Sequence, residues 1–124
     1  LRRLPSSLRH RKRYIAFRLI AFKDDFNPDK RDVALKILEN LISLFGETGS
    51  AHSGVWLEYF NGEYGIVKCN SVALDKVKMA ITLLNEMDGV RVLPVILGVS
   101  GTIKKCKIKY LEVFKNAITT DGIR

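Results

Sequence analysis

Residues 14–22 alternate in the manner of a half-buried strand. Ile15, Phe17, Leu19 and Ala21 share one face; Tyr14, Ala16, Arg18, Ile20 and Phe22 share the other, which carries a charge. Asn27-Pro28-Asp29 then predicts a helix start. Asn27 suits the cap, Pro28 the first helical position, and Asp29 and Asp32 the positive end of the helix dipole. Val33, Ala34, Ile37, Leu38, Leu41, Ile42, Leu44 and Phe45 recur at helical spacing, and Gly46 is suited to end the run. Thr48-Gly49-Ser50 reads as loop. Residues 55–60 and 64–69 read as two strands joined by a turn at Asn61-Gly62. Ser71 is placed to cap a second helix, with Leu74, Val77, Ile81 and Leu84 as its apolar stripe and Gly89 beyond its end. Residues 90–99 form a long β-branched run in which Pro94 and Gly98 point to an edge or a bulge. A third helix fits from Thr102 onward, with Ile103, Cys106, Tyr110, Phe114 and Ala117 on one side.

The predicted order is β-α-β-β-α-β followed by an extra C-terminal helix. This is an α+β pattern, the split βαβ of ferredoxin-like and RRM-like sandwiches. Right-handed crossovers then put both main helices on one face of a four-stranded antiparallel sheet. The other face is left for a partner or for the extra helix. The expected organisation is a basic arm over residues 1–12, one domain over 13–120 and a loose tail over 121–124. Hydrophobic residues make up 47% of the 124 positions, enough for one core and against a disordered chain.

Charge changes this picture most. Residues 1–23 hold eight Lys and Arg and no Asp or Glu, and a second basic run, Lys104-Lys105-Cys106-Lys107-Ile108-Lys109, lies near the other end. The stretch between them is net acidic, although the whole chain carries +8. Such blocks point to a polyanionic partner, because Lys and Arg release counterions from a phosphate backbone. Nucleic-acid binding is favoured over a merely solvated tail, and Arg13 and Arg18 are the cations that a strand would hold in place. Ser100-Gly101-Thr102-Ile103-Lys104-Lys105 sits where a strand hands over to a helix. It reads equally as a phosphate contact and as an ordinary Thr102 cap with two solvated lysines. It lacks the spacing of a Walker loop.

Other chemistry is poorly supplied. Cys69 and Cys106 form no CxxC pair and only His10 and His52 are present, which argues against a zinc site and for small buried thiols in a reducing, cytoplasmic setting. No Ser/His/Asp constellation is suggested. No apolar run is long enough for a bilayer, so no membrane partner is expected. The aromatic residues Tyr14, Phe22, Trp56, Tyr59, Phe60 and Tyr64 raise base stacking. The strand Glu63-Tyr64-Gly65-Ile66-Val67-Lys68-Cys69 lacks the final aromatics of an RNA-recognition motif, so core or interface roles are favoured. An acylphosphatase of this fold class needs a glycine-bounded phosphate loop ending in Arg after the first strand. Here that region reads Lys23-Asp24-Asp25-Phe26-Asn27-Pro28, which is acidic.

Three blocks carry a resemblance. They are Leu4-Pro5-Ser6-Ser7-Leu8-Arg9 followed by Lys12-Arg13-Tyr14-Ile15-Ala16-Phe17, then Gly65-Ile66-Val67-Lys68-Cys69, and Val99-Ser100-Gly101-Thr102-Ile103-Lys104-Lys105-Cys106. In this order and spacing the chain resembles the archaeal ribonuclease P protein component 2 family, related to the eukaryal Pop-five subunit. Lys68 stands where that family usually has Arg. The resemblance implies a non-catalytic subunit of a ribonucleoprotein that removes the 5′ leader of precursor tRNA. The RNA subunit would do the chemistry with its own bound magnesium, and the protein would bind no cofactor. The implied partners are ribonuclease P RNA, precursor tRNA indirectly, and the TIM-barrel-like protein component 3, with self-association in a heterotetramer. Residues and resemblance together nominate Arg9, Arg11, Lys12, Arg13, Arg18, Lys68, Ser100, Gly101, Thr102, Lys104, Lys105 and Lys107 as RNA contacts. The alternatives are a general RNA- or DNA-binding module of the ribosome-associated type and, further off, an acylphosphatase-like or ligand-binding regulatory domain.

Overall fold

The chain runs through β1 (Lys12–Ala21), α1 (Lys30–Ala51), β2 (Trp56–Phe60), β3 (Tyr64–Asn70), α2 (Leu74–Thr82), β4 (Glu86–Met87), β5 (Val90–Ser100) and α3 (Ile103–Cys106), which continues as π-helix over Lys107–Glu112. This is a computed structural model, and it describes residues 11–112. Most of the expected basic arm, including Arg9, the tail at 121–124, and Phe114 and Ala117 of the third helix lie outside the described residues. Lys12, expected in the arm, already belongs to β1.

The strands form one antiparallel sheet in the order β2-β3-β1-β5-β4. The expected sheet had four strands; the fifth is the two-residue β4. Asp88 (φ 51°) and Gly89 (φ 79°) both take left-handed backbone, and the two-residue turn they make returns the chain so that Glu86 pairs with Arg91 and Met87 with Val90. Because β4 covers only the start of β5, Pro94 lies where a missing N–H breaks no ladder. The expected bulge is present as well. The register between β1 and β5 shifts between Ala16 and Phe17, and Leu97 is the unpaired residue.

Alternation along β1 sends its two sets of side chains into two separate cores. Ile15, Phe17 and Leu19 pack with Val33, Ile37 and Leu41 of α1 and Val77, Ala80 and Ile81 of α2. The two helices are tied together where the Asn40 side-chain amide donates to the Ala80 carbonyl at 3.0 Å. On the opposite face, Ala16 and Ile66 are buried under Cys106, with Tyr14, Tyr59, Leu97, Ile103 and Tyr110 around them. The C-terminal helix therefore covers the middle of the face that the sequence left open. Gly98 makes this approach possible, since the Tyr110 ring occupies the space where a Cβ would stand. The Tyr110 hydroxyl then donates to the Val99 carbonyl at 3.3 Å.

Several local expectations shift. The first helix begins at Lys30 with Asp29 in the cap position rather than Asn27. Asn27 instead lies against Gly62 in the hairpin loop. Gly46 does leave helical geometry (φ 74°, ψ 172°), but the chain turns helically again to Ala51, where a loop was expected. The Ser50 hydroxyl, within hydrogen-bond reach of the Gly46 and Glu47 carbonyls at 2.8 and 3.2 Å, holds that extra turn. Ser71 opens a short 3-10 turn (Ser71–Ala73) ahead of α2 and makes no side-chain cap. The hairpin loop spans three residues, and the Asn61 side-chain oxygen accepts from the Glu63 and Tyr64 N–H groups at 3.0 and 2.7 Å. Among the described residues no helix is long and apolar enough to cross a membrane.

Candidate nucleic-acid interface

The strand register gathers the nominated cations. Antiparallel pairing puts Tyr14 opposite both Lys68 on β3 and Ser100 on β5, so the starts of β1 and α3 and the end of β3 share one end of the sheet. Arg11, Lys12 and Arg13 therefore share that end of the sheet with Ser100, Gly101, Thr102, Lys104 and Lys105, the Lys12 position on the face of Tyr14 and Ala16 and the Arg13 position on the face of Ile15 and Phe17.

Arg11 and Lys12 are exposed, as are Gly101, Thr102, Lys104 and Lys105. The Arg11 carbonyl accepts from the Ser71 N–H at 2.6 Å, which anchors the strand start to the turn before α2. Lys12 donates to the Asn70 side-chain oxygen at 2.6 Å, and Arg13 donates to the Lys12 carbonyl at 2.9 Å. Among the described residues none of Arg11, Lys12, Arg13, Lys104 and Lys105 forms an ion pair. No described carboxylate neutralises their charge.

Thr102 is an ordinary cap in geometry, its hydroxyl accepting from the Lys105 N–H at 3.2 Å. A cleft of about 370 Å3 opens beside it, lined by Val99, Ser100, Gly101, Lys105, Ile108 and Lys109. Nothing stands within 4 Å of where a Gly101 Cβ would be, so that wall is open. Lys109 was not nominated from the sequence, although its position one helical turn after Lys105 is a signal for a shared face. Lys107, which was nominated, instead lies over the Tyr59 ring at 5.2 Å.

The other nominated residues stand differently. Lys68 is at the same end of the sheet but pairs with Glu58 at 3.2 Å. Arg18 is set apart, four residues down β1, where it pairs with Glu63 at 3.3 Å and lies over the Tyr64 ring at 5.7 Å. The sheet face itself offers little stacking room at its centre, because Ala16 and Ile66 are buried under the C-terminal helix. Phe60 stacks on Phe17 in the main core, whereas Trp56 and Phe22 are exposed.

Cys69 and Cys106 are both buried, and burial pushes each thiol up from 9.0 to about 11, against the lowering effect of Lys12 and Arg13 on Cys69 and of a Ser100 hydrogen bond on Cys106. They stay protonated near neutrality and act as small apolar side chains. The Cys106 thiol also lies 3.7 Å from the Tyr14 carbonyl, which ties the C-terminal helix to the start of β1.

Fold and surface together define a small α+β protein with a cationic end to its sheet. The model of the Rpp14/Pop5 family matches residues 13–111, and the chain belongs to that family. It is 58% identical over 110 residues to "Ribonuclease P protein component 2" of Archaeoglobus fulgidus, covering 89% of this chain and 97% of that one. It is 40% identical to the protein of the same name from Pyrococcus horikoshii, covering 92% and 94%. The corresponding Methanocaldococcus jannaschii protein is 36% identical, covering 93% and 84%. Among solved structures, a chain of yeast ribonuclease MRP superposes with a TM-score of 0.62 over 94% of this chain and 98% of that one, at 12% identity. That likeness is one of fold.

Proposed function

We propose that this chain is a non-catalytic protein subunit of ribonuclease P that supports the RNA subunit in removing the 5′ leader of precursor tRNA. The observation that carries this reading is the joining of two basic runs on one end of the sheet, in a chain whose relatives are named ribonuclease P protein component 2. Arg11, Lys12, Arg13, Lys104 and Lys105, with Lys68, Ser100, Gly101, Thr102 and Lys107 around them, would contact phosphates. Arg9, outside the described residues, would extend the same surface. Arg18 belongs with Glu63 and stands outside this set. Cations held on a rigid sandwich neutralise phosphate repulsion, so RNA helices and the magnesium bound to them can approach closely. The polypeptide itself would break no bond and bind no cofactor. It would act in the cytoplasm alongside protein component 3 and associate with itself in that complex. We read its four long strands, in the order β2-β3-β1-β5, as the ferredoxin-like arrangement.

Reconstitution tests the reading. Adding the purified chain and protein component 3 to ribonuclease P RNA is expected to restore precursor-tRNA cleavage at low magnesium. Lys104→Glu with Lys105→Glu is expected to lose that effect while remaining folded by circular dichroism. Unchanged activity in the double variant would remove these lysines from the site. Equal affinity for unrelated structured RNA would point to a general RNA-binding module.

A further inference from the structure

The cleft beside Gly101 holds chemistry that phosphate contacts alone do not use. Its walls are Val99, Ser100, Gly101, Lys105, Ile108 and Lys109, around about 370 Å3. Ile108 stands between Lys107 and Lys109 in sequence and is 48% exposed, whereas Cys106 and Tyr110 of the same helical segment pack onto the sheet. A lone exposed isoleucine is ordinary. This one forms the wall of a concavity that two ammonium-bearing side chains also line.

Lys105 and Lys109 are exposed, and among the described residues neither pairs with a carboxylate. The Lys109 Nζ lies 5.4 Å over the Tyr110 ring. That ring is itself fixed, since it occupies the space over Gly98 and its hydroxyl donates to the Val99 carbonyl. The contact holds Lys109 at the cleft without neutralising it. The Lys105 backbone N–H already donates to the Thr102 hydroxyl, so the groups left to bind an anion here are the two side-chain amines.

We infer that this cleft takes one unpaired nucleotide of the RNA, with its phosphate on Lys105 and Lys109 and its base against Ile108 and Val99. A paired helix keeps its bases stacked inside and offers mainly phosphate and sugar, which would leave the apolar wall unused. A splayed base has an apolar face that leaves water when it meets aliphatic carbon. Entry is open on the Gly101 side, where nothing stands within 4 Å of an added Cβ. The inference rests on the subunit reading above. It adds the form of the RNA that is bound and one contact, Lys109, that the reading lacks.

The experiment measures binding of the full chain to ribonuclease P RNA across a salt series. Lys109→Ala is expected to lower the salt slope by about 1. Ile108→Ser removes no charge, so it should weaken binding about fivefold, the low end of what a stacked base contributes, with the slope unchanged. Gly101→Leu fills the open cleft and should weaken binding at least as much. Matching circular dichroism and urea midpoints confirm folding, and Gly101→Leu carries the test if Ile108→Ser does not fold. Gly101→Leu should also weaken oligouridylate binding more than binding of a short RNA duplex. An unchanged slope in Lys109→Ala would overturn the inference, as would full RNA affinity in the folded cleft variants. Equal weakening of oligouridylate and duplex would overturn it too, and so would a loss confined to binding of protein component 3. A parent chain that does not bind ribonuclease P RNA would overturn the subunit reading, and this inference with it.

Discussion

Tyr14 lies directly across from Ser100 on the neighbouring antiparallel strand. That single pairing brings Arg11, Lys12 and Arg13 to the same end of the sheet as Lys104 and Lys105, although most of the chain separates the two groups in sequence. Phosphate binding by such a surface has a measurable signature. Arg13→Ala and Lys105→Ala are each expected to lower the salt slope of ribonuclease P RNA binding by about 1. Arg18→Ala should leave the slope unchanged, because Glu63 already holds that guanidinium. Anisotropy titrations across a salt series check both statements.

Gly98 and Tyr110 are coupled through a shared space. Gly98→Ala pushes a methyl group into the Tyr110 ring and is expected to cost about 1–3 kcal/mol, the usual range for overpacking. In a Tyr110→Ala background the same change should cost less than about 0.5 kcal/mol, since the obstacle is gone. Urea denaturation of the four proteins measures the cycle. Equal costs in both backgrounds would mean that the ring is not what excludes the side chain.

Gly89 separates backbone strain from packing. Its φ is 79°, and nothing stands within 4 Å of an added Cβ. Gly89→Ala is therefore expected to cost about 1–2 kcal/mol through left-handed backbone alone. Asp88→Gly, at the other positive-φ position of the turn, should be tolerated better. Comparative thermal melts distinguish the two.

The buried thiols give a pH dependence with a definite sign. Both are pushed up to about 11 in the folded protein from a value of 9.0. As pH rises from about 9 to about 11, the unfolded chain releases thiol protons that the folded chain keeps. Ionisation then favours the unfolded state, so stability contributed by these groups is intact below 9 and falls through that window. Lysines and tyrosines also titrate there, so the informative quantity is a difference. The variant Cys69→Ala with Cys106→Ala should lose less stability between pH 8 and 10.5 than the parent does. A parallel decline in both proteins would contradict the assignment.

Much of the fold was legible because local physics set it. Alternation in β1, the helical spacing from Val33 to Leu41 and the side of the third helix that holds Ile103, Cys106 and Tyr110 all reappear in the two cores. The misreadings lie where one local signal competes with a contact distant in sequence. Asn27 is a good cap by type, yet its place against Gly62 of the hairpin loop leaves Asp29 in the cap position. Asp88-Gly89 is a strong two-residue hairpin signal, but a two-residue strand is too short to show periodicity, so β4 went unread.

The candidate site divides along the same line. Residue type and order were enough to nominate the cations and to separate basic ends from an acidic middle. Which cations act together depends on strand register, and that is set by burying Ile15 and Phe17 on one face while Ala16 meets Cys106 on the other. The same packing turned Lys107 toward Tyr59, paired Arg18 with Glu63 and set Lys109 beside the cleft. Charge is a property of each side chain alone, whereas an electrostatic surface depends on distances between side chains, and only long-range burial fixes those distances.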